Sequence, residues 1–563
     1  MERRLTEYTE RNQDFDDSKG LISLQPIARP KKGRFPERYK LHQYWSRKPW
    51  YVVRRYIELF TKEGDTILDP FVGSGVTACE ALITKRKVIA VDINPVSTFI
   101  TKVTCASPID LDEFMKAYKR IESKIHDNMI SLYETSCEKC GSGAIIINSV
   151  WRDNAPAICF YHCNSCGYKG LKPYDRKDRK KVADVENIPP LWFPKNVVLP
   201  DDSDVRILQE LFTKRNLIAL SMVHDAISKE EDSMTKHLLR IMLSSTIVRC
   251  SKLIFVNRYR LSRGVNPAGI WGEKRFWVPD EFVENNVFHY FKARLSKVIK
   301  AKVETNSLIG DYFNEKTCII LTKSSTNLSE IPQESIDYCF TDPPYGGSVQ
   351  YRGLSTIWNA WLQLASLGDD EITINKHKTF RDYQLELQKV FCEVYRVLKT
   401  SHYLSVCFHS SNISVWNSML RACQEAGFEL VNVVPQEPIK RSLSQIESKG
   451  TVATDLIVTF RKPSNGKLML VDREMPDLNE LVNLAAREYL KRRVIATTSE
   501  IYDAVVLKWI GLAYGSPNIP KKLGFSTQDL IRILRKQGFR CSEREQLDYK
   551  GCKRKVTIWR LPL

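Results

Sequence analysis

Two separated parts of this chain alternate short apolar runs with stretches of helical spacing. In the first, residues 66–68 form a compact apolar run that stops at Asp69-Pro70-Phe71. Residues 76–84 repeat apolar positions at helical spacing, and residues 87–91 form a second apolar run closed by Asp92. That order predicts strand, loop, helix, strand. In the second part, Ile336, Tyr338 and Phe340 alternate as one face of a strand. Asp342-Pro343-Pro344-Tyr345 must end it, because neither proline can donate to a sheet ladder. Residues 383–399 have helical periodicity, 403–408 read as a strand followed by His409, and 428–434 with 455–460 read as a closing pair of strands. Strands alternating with helices predict an α/β fold, a doubly wound sheet whose ligands sit at strand carboxyl ends. Trp358 and Trp361, three apart, are expected to line its core.

The segment between these parts has a different grain. Cys137-x-x-Cys140-Gly141 and Cys163-x-x-Cys166-Gly167 are matched knuckles with 22 residues between Cys140 and Cys163. Each pair can turn two thiolates onto one metal, and glycine permits the turn. Four sulfurs make a closed, structural zinc site, with Cys159 and His162 as spare neighbours. A ribbon this small lacks a core of its own, so the metal is expected to supply its folding energy. Residues 176–181 read as a charged linker, 191–194 restart folded structure, and 212–253 are helical. Residues 254–278 interleave aromatics with cations, among them Tyr259, Arg263, Trp271 and Trp277, a mix suited to phosphate contact and base stacking. After about residue 467, two helices (478–493 and 499–512), a third begun by Ser526 and ended by Gly538, and a basic hairpin (540–547, 554–561) are compatible with a winged helix or a dimerisation domain.

Charge narrows the partner. The 563 residues carry 85 Lys plus Arg against 66 Asp plus Glu, a net +19, which favours a polyanion such as nucleic acid. From Arg29 to Arg55 there are ten cations and one acid, Glu37, either lying along phosphates or forming a solvated arm. The first ten residues are charged and polar, and no apolar run approaches the roughly 20 residues of a membrane span. A soluble, cytoplasmic protein with no membrane partner is expected, and fifteen cysteines in that compartment argue against a disulfide framework.

Gly73-Ser74-Gly75 is a tight turn that lets backbone approach a ligand, and it opens a helix whose N-terminal amides face the turn. Asp92 follows Asp69 by 23 positions, close to the spacing that places an acid on a ribose. These features point to a nucleoside cofactor. At the other motif, a carboxylate, a rigid row of carbonyls and an aromatic face suit a planar group carrying an amine.

Together the motifs resemble those of amino-group DNA methyltransferases. Asp69-Pro70-Phe71-Val72-Gly73-Ser74-Gly75 is similar to their S-adenosylmethionine loop, and Asp342-Pro343-Pro344-Tyr345 to their catalytic tetrapeptide. His42-Gln43-Tyr44-Trp45-Ser46-Arg47-Lys48-Pro49-Trp50 looks like the cofactor motif that precedes the loop in such enzymes. The motif order is similar to the alpha arrangement, and the nearest group is the adenine-specific methylases that carry a zinc ribbon. The resemblance covers roughly residues 40–462. It implies cofactor contacts at Tyr44, Trp45, Lys48, Pro49, Asp69, Pro70, Phe71, Gly73, Ser74, Gly75, Asp92 and Asn94, and catalysis at Asp342, Pro343, Pro344 and Tyr345. It implies N6 methylation of adenine in double-stranded DNA, with cytosine N4 or guanine N2 of RNA as alternative targets and a dead methylase fold as the non-enzymatic reading. A restriction or defence subunit would be another chain, and the oligomeric state is left open. One departure is Thr322-Lys323-Ser324-Ser325, where relatives often place an acid near the cofactor adenine. The implied division is a basic arm (1–39), a cofactor half (40–130), a zinc ribbon (131–180), a mostly helical recognition insertion (181–310), a catalytic half (311–465) and a small α+β C-terminal domain (466–563).

Overall fold

The computed structural model describes residues 27, 30, 35–231, 233–272, 275–365, 370–410, 412–436, 455–464, 476–514, 527–547 and 553–562. They fall into two compact units, Arg29–Lys399 and a second formed by Met1–Ala28 with Thr400–Leu563.

The larger unit begins with α1 (Trp50–Phe60), β1 (Thr66–Asp69), α2 (Val76–Ile83), β2 (Lys87–Asp92), α3 (Pro95–Cys105) and α4 (Leu111–Tyr133). An inserted sheet follows, made of β3 (Glu134–Ser136), β4 (Gly143–Arg152), β5 (Ala155–His162) and β6 (Lys169–Pro173). Next come helices α5 (Arg176–Glu186), α6 (Lys214–Ser228), α7 (Met234–Ile247) and α8 (Arg258–Ser262), then β7 (Phe282–Asn285) and α9 (Val287–Leu308). The unit closes with β8 (Cys318–Thr322), β9 (Ile336–Thr341), α10 (Tyr351–Trp361) and α11 (Phe380–Val397).

Four of these strands are parallel, in the order β9-β1-β2-β8, with Leu68 opposite Cys339, Asp69 opposite Ala90 and Asp92 opposite Thr322. Parallel pairing puts Asp69, Asp92 and the Thr341–Asp342 step on one edge, the carboxyl edge, where open α/β sheets hold ligands. Residues 66–92 thus form the strand, turn, helix and strand that their apolar spacing predicts.

The inserted sheet does not stand alone. β7 pairs antiparallel with β4, with Asn285 opposite Asn148 and Phe282 opposite Trp151. Ala144, Ile146 and Tyr161 share a continuous apolar core with Ile218 of α6, Leu239 of α7, Phe288 of α9 and both Trp358 and Trp361 of α10. The two tryptophans are core residues, as their spacing predicts. Residues 176–181 are not a linker. They begin α5, which is fixed by a capping box between Asp175 and Asp178, while buried Lys172 lies 2.9 Å from Asp178. A run of cations on a helix's outer face looks like a linker to a charge count.

In the other unit β10 (Leu398–Phe408), β11 (Glu429–Gln436) and β12 (Asp455–Arg461) form an antiparallel set with β12 central, and α12 (Ile413–Glu425) precedes β11. His409 lies 3.5 Å from Asp455, a structural pairing. The tail supplies α13 (Leu478–Arg493), β13 (Ala496–Thr497), α14 (Thr498–Ala513), α15 (Thr527–Lys536), β14 (Arg540–Leu547) and β15 (Lys553–Arg560). The β14–β15 hairpin forms where its basic alternation predicts, and β13 extends it on the β15 side. Tyr514, just past α14, donates to the Phe428 carbonyl at 2.8 Å, so the tail packs on this unit's sheet. Among the described residues no helix is long and apolar enough to cross a membrane.

Candidate active site

The glycine turn is built by close approach. Gly73 and Gly75 have φ of 52° and 81°, a region L side chains avoid. A Cβ on Gly75 would fall 2.8 Å from Thr101 Oγ1, and one on Gly73 would fall 3.1 Å from the Tyr44 ring. The turn is locked to the neighbouring strand end by Asp92, whose Oδ2 accepts from Gly73 N–H and whose Oδ1 accepts from Asn94 N–H, both at 2.8 Å. Asp69 accepts from Phe71 N–H at 3.1 Å and from the Thr341 hydroxyl at 2.9 Å. Burial raises both carboxyls, Asp69 to about 6 and Asp92 to about 7. The Asn94 amide donates to Ser355 at 2.6 Å and accepts from Asn359 at 3.2 Å, tying the end of β2 to α10.

The segment before α1 wraps this turn. Arg38 and Tyr39 bond to the buried carboxylate of Glu80 on α2, and Arg54 pairs with the same group. Arg38 also reaches Glu304 of α9 at 2.6 Å. Arg47 donates to Ser74 Oγ at 3.0 Å and to the His42 carbonyl at 2.9 Å. Tyr44 bonds Ser97 at 2.7 Å and stacks on Tyr351 with ring centroids 6.2 Å apart. Trp45 packs on Trp358 and Trp271. Several cations of the basic arm therefore point inward, paired with acids or with carbonyls. Neither a phosphate-tracking arm nor a solvated one describes Arg38, Arg47 and Arg54.

Past β9 the chain turns Asp342 into the same cleft. Tyr345 donates its hydroxyl to Asp342 Oδ1, and Lys48 Nζ lies 3.5 Å from Oδ2. Tyr383 of α11 donates to the Pro344 carbonyl. Thr373 donates to the Gly346 carbonyl at 3.2 Å, and a Cβ on Gly347 would lie 2.5 Å from the Ile374 carbonyl, so residues 373–374 brace the turn after the tetrapeptide.

One open cleft of about 990 Å³ joins the two motifs. Of the sequence-derived residues it is lined by Tyr44, Trp45, Lys48, Asp69, Pro70, Phe71, Gly73, Ser74, Asp92, Asn94, Asp342 and Pro344. Pro49, Gly75, Pro343 and Tyr345 are not on its wall. Pro49 precedes α1, Gly75 precedes α2, and Tyr345 is buried beneath Asp342. Glu371 also lines the cleft and accepts from Arg352 N–H at 3.0 Å. Nothing in the spacing around it marks it. Ser324 and Ser325 face the cleft too, but the Ser325 hydroxyl donates to the Pro70 carbonyl at 2.6 Å and Ser324 bonds Thr326.

The four cysteine sulfurs of Cys137, Cys140, Cys163 and Cys166 lie within 4.8 Å of one another. Two cross-knuckle pairs are 3.7 Å (Cys137 to Cys166) and 3.6 Å (Cys140 to Cys163) apart. Thiolates about 2.3 Å from one tetrahedral centre would be roughly 3.8 Å apart, so the donor set fits Zn²⁺. Gly141 and Gly167 each have φ of 72°, and each N–H bonds back at 2.9 Å to the carbonyl of its knuckle's first cysteine. Cys159 and His162 lie outside the cluster.

The aromatic and cationic segment splits in two. Trp271 and Phe276 are buried and stack at 5.8 Å. Tyr259 is exposed, with the Arg263 guanidinium over its ring. Only the second kind of residue can reach a partner.

A family model described as DNA methylase matches residues 10–101 and 336–514. These stretches contain the glycine turn, Asp92 and Asp342. Both segments are similar to that family over somewhat less than half of the chain. The chain is also similar to a curated relative, the type II methyltransferase M.MvaI of Kocuria varians, 24% identical over 333 residues, or 58% of this chain and 57% of that protein. The type II methyltransferase M2.DpnII of Streptococcus pneumoniae is 51% identical over 47 residues, 8% of this chain and 18% of the relative. The chain thus spans little more than half the length of the first relative. Among solved structures, the rRNA methyltransferase AviRa of Streptomyces viridochromogenes is 9% identical, covering 80% of this chain and 94% of its own, with a TM-score of 0.24. A SAM-dependent methyltransferase structure from Methanosarcina mazei is 12% identical over 28% of this chain and 78% of its own, with a TM-score of 0.16. Likenesses with TM-scores this low carry no argument.

Proposed function

We propose that this chain methylates the exocyclic N6 amine of an adenine turned out of double-stranded DNA, using S-adenosylmethionine. The observation that carries this reading is the single cleft into which both the Gly73–Ser74 turn and Asp342 open. The residues present fit the cofactor: backbone at Gly73, where a Cβ would crowd Tyr44, and acids at buried Asp69 and half-buried Asp92 that can accept from its hydroxyls and its ammonium. When bound, the cofactor supplies an electrophilic methyl group on a sulfonium.

An exocyclic amine is a poor nucleophile because its lone pair is delocalised into the ring. Asp342 and the Pro343 carbonyl can accept its two N–H bonds and draw the nitrogen toward sp³, aiming the lone pair away from the ring. The Tyr345 ring, buried behind Asp342 with the Lys48 ammonium 4.9 Å from its centroid, becomes a stacking face once that cover is displaced, and a base must leave the helix to reach such a pocket. Asp342 need not be a strong base, since the proton can leave after the N–C bond has formed. Much of the catalysis is positioning. An acid in the first tetrapeptide position favours adenine over cytosine. The four cysteines hold a structural zinc, with no open coordination position.

The test is sequencing of modified bases in DNA from cells expressing the protein, with tritium transfer by purified protein to duplex DNA and to tRNA. N6-methyladenine at one short motif is expected. N4-methylcytosine would move the target, and label confined to tRNA would overturn the DNA reading.

The Asp92 carboxyl makes cofactor binding pH-dependent. Burial lifts it to about 7, so near neutrality it is partly protonated. Accepting a ribose hydroxyl favours the carboxylate, so affinity should rise as pH rises through about 7 and level off about one unit above, approaching tenfold per unit on the acid side. Calorimetric titration across this range should show that slope, and Asp92→Asn should flatten it. Without cofactor the sign reverses for stability. The folded state holds the proton more tightly than the unfolded chain, so this group's contribution is greatest below its ordinary range and is lost as pH rises toward about 7.

A further inference from the structure

Asp342 is engaged on both oxygens before any base arrives, by the Tyr345 hydroxyl on one and by Lys48 on the other. The Lys48 ammonium lies 3.5 Å from Oδ2 and 4.9 Å from the centroid of the Tyr345 ring. Its side chain is 8% exposed, so most of its water is gone. At 3.5 Å the pair is longer than a tight charge-assisted bond of about 2.8 Å, as expected of a contact that can be given up. These two contacts, carboxylate oxygen and aromatic face, are the ones the proposed reaction requires of the target amine and its ring.

We infer that Lys48 is a built-in occupant of the acceptor site, which holds Asp342 and Tyr345 in their working arrangement and is displaced by the flipped base. The inference rests on the methylation reading above and assigns Lys48 to the base side of the cleft, as a positioning residue, where the sequence motif assigned it to the cofactor. A protonated amine has no lone pair, so this occupant takes no methyl group itself. It also keeps the carboxylate paired while the cofactor site is filled. Lys48 is placed there by Arg47, whose bonds to Ser74 and the His42 carbonyl fix the preceding residue.

The test uses the full chain, a non-transferable cofactor analogue (sinefungin) and a duplex that keeps adenine at the modified position found by sequencing and carries 2-aminopurine beside it, so that the target amine is present and its unstacking is seen as fluorescence. Removing the occupant raises the fraction of enzyme whose acceptor site is open, so Lys48→Met should bind this duplex about threefold or more tightly, with a larger rise in fluorescence. Loss of a cation facing a polyanion ordinarily weakens binding, so tightening has the opposite sign to a phosphate contact. Affinity for S-adenosylmethionine should stay within about twofold, since charge is removed from the base side only. Lys48→Arg should bind the duplex no more tightly than the parent. Should Lys48→Met fail to fold, Lys48→Gln is read the same way. Duplex binding that is unchanged or weaker, or a loss of cofactor affinity of about tenfold, overturns the inference. Failure of the methylation reading itself would be seen separately, as absence of transfer by the parent protein to any duplex.

Discussion

Asp342→Ala is expected to lower the rate of methyl transfer by about 10²–10³-fold or more, the cost of removing one preorganised acceptor at a reacting centre. Cofactor affinity should change by no more than about twofold. The separation follows from the bonding in the cleft. The glycine turn is held by Asp92 through Gly73 and Asn94, and Asp69 is held by Phe71 and Thr341; none of these bonds passes through Asp342. Asp342 itself bonds Tyr345 and faces Lys48. Single-turnover transfer and equilibrium cofactor binding on the same preparation would separate the two effects. Equal loss of both would make Asp342 a structural residue, and a melting curve would show it. Asp342→Asn keeps one acceptor oxygen and should retain more activity than the alanine variant.

Cys137→Ser should carry the largest cost in stability. The sequence motif implies one zinc per chain, and the variant is expected to bind none at equilibrium. Three remaining thiolates, two of them from the opposite knuckle, would be left without a fourth partner. A free-standing zinc finger stakes about 10 kcal/mol or more of folding free energy on its metal. Here the cost should be smaller, on the order of 5 kcal/mol, because β4 is also paired with β7 and its side chains sit in the shared core. Metal analysis with thermal unfolding, with and without a chelator, measures both. Unchanged metal content in Cys137→Ser would refute the zinc assignment.

Local chemistry was readable from residue order. The turn between β1 and α2, the acid closing β2, the end of β9 and the two cysteine knuckles all depend on residues within a few positions of one another, where glycine, proline and spacing speak directly. What was hidden depends on pairs far apart in the chain. Lys48 meets Asp342, Arg38 meets Glu80 and Glu304, and β7 meets β4. A tally of charge cannot distinguish a solvated cation from a paired one, so the arm read equally as a phosphate contact or a solvated face while Arg38 was spoken for by carboxylates. The same limit applies to residues 254–278, where an aromatic reads identically whether it is Trp271 in the core or Tyr259 at the surface. Glu371 reaches the cleft from a loop that no periodicity marks.

The strand contributed by Phe282–Asn285 sets a limit on engineering this protein. Because it completes a sheet begun at Glu134, no cassette cut at the end of the cysteine-bearing hairpins can be exchanged cleanly. A graft of the cysteine-bearing hairpins would have to carry residues 134–285 as one piece and match the helices that share its core, so this insert can be exchanged only together with its scaffold.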